Sequence, residues 1–491
     1  MKKRGLTRRE FLKASTAAGI VAVGTGRLHH QGAVQAYPDQ VGSWEGPVPT
    51  GVAAIHAAVL PTGKVLVSAD GYPAVVITIT PSWSLAEIQP EYETNLFCSG
   101  HAYLPDGRLM FVGGGNWADD TPIKDASLFD PFQLSFTQLP PMFEERWYPT
   151  CTTLADGRIL VISGNKANGQ VNCIPEVFDP ITWSWQRLEN ADREVSGLID
   201  YPFMFALSDP LVFMAGPMLD SGTEEEQRDT AILNISTETW FFVDRSPIRG
   251  GSAVMYSPGR IMKCCAETSD SSDGSGAETT VINMDDVVPT WRPTASMANQ
   301  RVNQNLVVLP DGKVLVVGGF NTDPLVSDFV LAAEMWDPAT ETWSTMASMT
   351  IPRSYHSTAV LLPDARVLMA GQYAVDPADD FLGEIYSPPY LFRGARPRIA
   401  ASPTVVNYGT PFAVASPDAA TVVGASMIGL PATTHAVDMG QRYVPLTVSI
   451  VETTVTVDAP ANAGIAPPGY HMLFLLNQDD VPSKARVVRL A

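Results

Sequence analysis

Cysteine is scarce in this chain, and poorly placed for a disulfide framework. Five occur: Cys98, Cys151, Cys173, Cys264 and Cys265. No CxxC spacing is present, so a zinc or thiol-redox motif is not indicated. An odd count leaves at least one sulfur outside any disulfide, and a bond between adjacent Cys264 and Cys265 would close a strained ring. Basic charge is also short: 32 Lys and Arg face 52 Asp and Glu, for a formal charge of −20. That argues against nucleic acid and anionic membrane as partners, since both need a basic face. Histidine is rare. Beyond the first 36 residues only His56, His101, His356, His435 and His471 remain. What is abundant is apolar and turn-forming: 45% of residues are hydrophobic, with 38 Gly, 40 Pro and ten Trp. This suits a globular all-β protein. At 491 residues the chain exceeds what one core supports.

The N-terminus reads as an export signal. Arg8-Arg9 precede Phe11-Leu12-Lys13 and a mildly apolar run, in the twin-arginine pattern. The run is too short to span a bilayer comfortably. "AVQA", ending at Ala36, offers a cleavage point. The mature chain is expected outside the cytoplasm, periplasmic or secreted, or membrane-anchored if the signal is kept.

A repeat follows. "LPTGKVLVSADG" begins at Leu60, "LPDGRLMFVGGG" at Leu104 and "LADGRILVISG" at Leu154. Weaker copies begin at Leu207 and Tyr256, and clear ones return at Leu309 and Leu362. The period of about 50 residues matches kelch repeats. Between copies lie "SLFDPFQLSF", "EVFDPITWSW" and "EMWDPATETW", each an outer strand, an Asp-Pro turn and another strand. Seven copies predict a seven-bladed kelch-type β-propeller over 37–390, after a signal peptide at 1–36. Past "IYSPPYLFRGARPRI" the repeat stops, and 391–491 alternate as in an immunoglobulin-like β-sandwich.

The innermost strand of each blade enters its turn from the channel side, so functional residues are expected just before the turns. That selects Phe97 to His101, then Arg146, Trp147, Tyr148 and Cys151. It also selects Arg301, Asn303 and Gln304, and then Arg353, Tyr355 and His356. Imidazole with phenolate in a tetragonal field suits Cu(II).

Four of these motifs together resemble the copper radical oxidases of the galactose oxidase and glyoxal oxidase family. "FCSGH" resembles the segment whose cysteine joins a tyrosine by a thioether, which implies Cys98. "ERWYPT" resembles the segment holding that tyrosine, implying Tyr148. "PRSYHS" resembles the axial tyrosine and first histidine ligand, implying Tyr355 and His356. "TTHAVDMGQR" with "PPGYHMLFLLN" resembles the C-terminal domain and implies His435 as second histidine, on a loop. The resemblance covers nearly all of the mature chain and implies an immunoglobulin-like early-set C-terminal domain supplying that ligand. It implies one copper ion held by Tyr148, Tyr355, His356 and His435, with Cys98, Tyr148 and Tyr355 catalytic. It further implies a small aldehyde or primary alcohol as substrate, O2 as acceptor, H2O2 as product, and a monomer. Asn165-Lys166 replace the family's shielding tryptophan, leaving Trp147 or Trp117 for that task. Asn303-Gln304 replace a sugar-contacting pair, and no sugar-binding arginine matches near "SGLIDYPF". The substrate expectation therefore leans toward glyoxal oxidases. The rival reading is a non-catalytic kelch propeller binding glycan or protein.

Overall fold

In the computed structural model the described residues are 37–70, 74–79, 82–90, 94–116, 121–193, 200–216, 228–265, 276–321, 328–372 and 376–491. The export segment and Trp117 lie outside them. The chain is built from short strands. Among the described residues seven sheets of four or more strands start before residue 390, with one small two-stranded sheet beside them. Their first strands are His56–Val59, Gly100–Tyr103, Thr150–Thr153, Met204–Ala206, Ser252–Ser257, Asn305–Val308 and Ser357–Leu361. Each runs through its repeated turn into an antiparallel second strand, as the "LPDG" copies predict. Third strands such as Ala126–Asp130 and Glu176–Asp179 pair next, with a fourth outside them. The first and second strands are almost wholly buried.

Two long-range pairings tie the ends of the chain in. Ser43–Pro49 pairs with Leu382–Ser387, so the N-terminal strand completes the sheet of Ser357–Leu361. The hairpin Ala432–Thr434 and Val437–Asp438 pairs with His56–Val59, giving the first sheet six strands. Outside this hairpin the C-terminal part forms a five-stranded and a three-stranded sheet. They enclose a separate core that includes Met427, Val444, Val455, Leu473 and Val488. No helix among the described residues is long and apolar enough to cross a membrane.

The arginines selected as channel residues do a different job. Arg146 is fully buried, donating to the carbonyls of Ser163 at 2.7 Å and Ile174 at 2.5 Å and to Glu176 at 3.0 Å. Arg301 repeats the arrangement with Gly318, Ala332 and Glu334. Arg353 binds the carbonyls of Gly371, Asp379 and Leu382. The carboxylates reach onward: Glu176 accepts from the Phe143 amide, Glu334 from Ala298 and Glu384 from Thr350. Each arginine thus clamps its own sheet, satisfying carbonyls where strands diverge. The spacing before the turn is right for the axis, but the guanidinium is turned into the blade.

Burial also makes stability pH-dependent. Desolvation pushes His101 down from 6.5 to about 3, and His471 down to about 4. The unfolded chain binds these protons near pH 6.5, the folded chain only near 3 and 4. In between, the unfolded state holds more protons, so stability falls as pH falls. For the copper-free protein we expect a loss of about 2–3 kcal/mol between pH 7 and 5.5, read from urea midpoints. A flat profile over this range would show that the two rings are solvated.

Candidate metal centre

Five predicted side chains converge from four sheets. Cys98 and Tyr148 precede the first strands of consecutive sheets, Tyr355-His356 precede Ser357–Leu361, and His435 sits in the hairpin joined to His56–Val59. The Tyr355 hydroxyl donates to the Tyr148 hydroxyl at 2.9 Å. Cys98 Sγ lies 3.5 Å from His435 Nε2. The His356 and His435 rings meet edge-on with centroids 4.4 Å apart, and Tyr355 stacks on His356 at 4.2 Å. Ligand atoms of Cys98, His356 and His435 all lie within 4.8 Å of one another. Four of the five side chains are buried, and Tyr355 is half-buried.

Second partners orient both imidazoles. His356 Nδ1 lies 3.0 Å from Gln372 Oε1, and His435 Nδ1 lies 2.6 Å from Thr434 Oγ1. A partner on Nδ1 leaves Nε2 to carry the ligand lone pair, the usual arrangement around a metal. Two imidazoles and two phenols within reach of one point therefore fit a single copper ion.

The backbone is strained where these residues sit. Cys98, Tyr148, His356 and His435 all adopt left-handed φ, at 56°, 68°, 63° and 51°. Such a conformation costs a side-chain-bearing residue about 1–3 kcal/mol and persists only where the surroundings impose it. His435 and Ala436 (φ 64°) are the two turn residues of their hairpin, a geometry that Asn-Gly usually serves. The loop expected to carry His435 is thus a two-residue turn, and its hairpin is joined to the first sheet.

Tyr201 was not selected from sequence, yet it is part of the centre. It is buried, with its ring 5.2 Å from Tyr148 and 5.0 Å from His435, and its hydroxyl donates to Ser99 O at 3.1 Å. Burial, then the neighbouring Cys98, pushes its phenol well above 10. A spacing signal existed. Cys98, Tyr148, Tyr201, Gly250, Asn303 and His356 each stand six residues before Leu104, Leu154, Leu207, Tyr256, Leu309 and Leu362, and all six have positive φ. Tyr201 occupies that place in the weakest-looking copy of the repeat, which hid it.

Other expectations resolve more simply. Trp147 meets the Tyr148 ring tilted at 6.0 Å and Phe97 edge-on at 6.2 Å. Lys166 pairs with Glu144 at 3.6 Å toward solvent, while Asn165 bridges the Trp147 backbone and donates to Asp200. Gln304 donates to the Cys264 carbonyl and His471 lies in a C-terminal strand. His101 stacks on Phe111. Cys264 Sγ and Cys265 Sγ are 3.7 Å apart, a contact and not a bond.

Gly100 explains why "FCSGH" needs its glycine. A Cβ there would lie 2.5 Å from Pro149 O and 2.8 Å from Cys151 Sγ. The cysteine and tyrosine segments can therefore approach only with no side chain between them. Gly100→Ala should cost about 1–3 kcal/mol in urea denaturation, the usual penalty of overpacking. An unchanged midpoint would mean the two segments separate freely.

Comparison with known proteins points the same way. Residues 253–386 match the Glyoxal oxidase N-terminus family, and residues 396–490 match the galactose oxidase-like early set domain. Aldehyde oxidase GLOX of Vitis pseudoreticulata is 28% identical over 93% of this chain and 99% of its own. Galactose oxidase of Gibberella zeae is 27% identical over 92% of this chain and 71% of its own. A fungal alcohol oxidase of the AA5 family, solved with copper, superposes with a TM-score of 0.80 at 25% identity, covering 92% of this chain and all of the other. Motifs, fold and comparisons agree: the chain resembles the galactose oxidase and glyoxal oxidase family in both its matched segments and its overall fold.

Proposed function

We propose that this chain is an exported copper radical oxidase. It converts a small primary alcohol to the aldehyde, or an aldehyde hydrate to the acid, while O2 becomes H2O2. The observation that carries the reading is the contact of two phenols, Tyr148 and Tyr355 at 2.9 Å, beside two oriented imidazoles. Each substrate oxidation releases two electrons and two protons. Copper, when bound, supplies a one-electron couple and a Lewis acid. Tyr148 is the second one-electron centre, its phenol made easier to oxidise by a thioether to Cys98. Tyr355, which is half-buried, takes the substrate hydroxyl proton. His356, His435, Tyr148 and Tyr355 would hold the metal. Tyr201 and Trp147 enclose the Tyr148 ring and keep water from it.

We read the seven sheets as seven blades of one kelch-type propeller over 37–390, followed by the early-set domain at 391–491 and preceded by a twin-arginine signal at 1–36. The mature protein would then work in the periplasm or outside the cell, as a monomer. Asn303 and Gln304, where the family's sugar-contacting pair would stand, favour small substrates over a hexose.

Copper loading in air, followed by intact mass and a peroxide assay on aldehydes and primary alcohols, tests the proposal. The expected result is a mass lower by two hydrogens, lost in Cys98→Ser, together with peroxide. A second reading has Cys98 as a thiolate metal ligand, which its 3.5 Å approach to His435 favours. Copper-loaded, active protein with unchanged mass would select that reading. Unchanged mass with no peroxide on any substrate would overturn both.

A further inference from the structure

Three of the residues that stand six before a turn are tied together across the sheets by their backbones. The Tyr201 amide donates to Tyr148 O at 3.0 Å, and the Tyr148 amide to Cys98 O at 3.1 Å. The next step should run from the Cys98 amide to the corresponding carbonyl of the first sheet, that of Ala54. It does not. Ala54 O accepts from the Thr358 hydroxyl at 2.9 Å. The Cys98 amide donates instead to His56 Nε2 at 3.2 Å. A side chain therefore stands in for a backbone carbonyl at the point where the ladder reaches the cysteine.

His56 is built to stay put. Its strand is sandwiched between two others, with Ser68 opposite on one side and Thr434 on the other. It is 2% exposed, with its ring 5.3 Å from His101 and 6.1 Å from His435. The Cys98 amide can only donate, so His56 Nε2 accepts. A neutral ring accepting at Nε2 carries its proton on Nδ1, which sets the tautomer. Without this acceptor the buried Cys98 amide would lose this hydrogen bond, and the left-handed Cys98 backbone one of the contacts that hold it.

We propose that His56 is a positioning residue that aims Cys98 at Tyr148 for thioether formation. This rests on the oxidase reading above. In that reaction the Cys98 S–H bond and the C–H bond beside the Tyr148 hydroxyl break, and a C–S bond forms. Two electrons and two protons pass to O2, giving H2O2. His56 touches none of the reacting atoms; it acts through the Cys98 amide.

The test compares His56→Leu, which removes the acceptor, with His56→Gln, whose amide oxygen can replace it. In copper-free protein, amide exchange at Cys98 should be about tenfold faster in His56→Leu and near wild type in His56→Gln. With copper in air, the two-hydrogen mass loss should slow by about tenfold in His56→Leu and recover in His56→Gln. If His56→Leu fails to fold by near-UV circular dichroism, His56→Asn, too short to reach Cys98, takes its place. Wild-type exchange at Cys98 in the acceptor-less variant overturns the proposal, as does wild-type cross-linking. If the wild-type protein itself never loses two hydrogens, the oxidase reading of Cys98 falls and the aiming role with it. Amide exchange then reports only whether His56 holds the Cys98 backbone.

Discussion

Tyr148→Phe is expected to lower turnover by on the order of 10⁴-fold or to below detection, while the protein stays folded. The phenylalanine ring keeps the contacts with Tyr201, His435 and Trp147. What disappears is the hydroxyl bonded to Tyr355, a loss of about 1 kcal/mol in stability. Activity and stability should therefore separate sharply. On the proposed function the residue supplies the second one-electron centre, so its phenol is needed at that point. Peroxide release per copper bound, alongside a urea titration, reads both quantities. Retention of more than a tenth of wild-type turnover would remove Tyr148 from the redox role. Equal losses of turnover and stability would mark it as packing.

Arg146→Met is expected to cost about 3–5 kcal/mol, the cost of breaking a buried ion pair from one side. Arg146 and Glu176 are both inaccessible to solvent, at 0% exposure each. Removing the guanidinium strands the Glu176 carboxylate in the interior, along with the carbonyls of Ser163 and Ile174. The double variant Arg146→Met, Glu176→Gln should recover part of the loss, since no bare charge is left. Urea denaturation of wild type and both variants measures this. If the single variant lies within 1 kcal/mol of wild type, water reaches the pair and the clamp is not structural. The effect belongs to the fold, but it reaches the site. The Arg146 carbonyl accepts from the Gly114 amide at 2.8 Å, and the Gly115 amide donates to Phe97 O at 3.0 Å, next to Cys98.

Much of this was legible beforehand because it depends on nearby residues. An Asp-Gly turn between apolar strands is a local matter of φ and period-two burial. It recurs where the pattern recurs, from Leu60 to Leu362. Cys98, Tyr148, Tyr355, His356 and His435 were singled out by short motifs that resemble a family's, and the fold brings them together. Arg146, Arg301 and Arg353 show the limit of that reasoning. Their distance from the turn suits the axis, and only side-chain direction, which spacing does not contain, sends them into the blade.

Sequence by itself determined the strands, the repeated turns, the change of pattern after about residue 390 and the chemical types available for a metal. Tertiary structure alone decided which ends of the chain pair, because Ser43–Pro49 and Leu382–Ser387 are joined by ladder bonds that no local preference encodes. It alone put His435 in a strained two-residue turn within the first sheet, and Tyr201 between Tyr148 and His435. It alone gave the Cys98 amide to His56 and not to Ala54. In each case the deciding contact joins residues far apart in the chain. Its energy is set by burial and by the need to satisfy every enclosed polar group, and both are properties of the closed molecule.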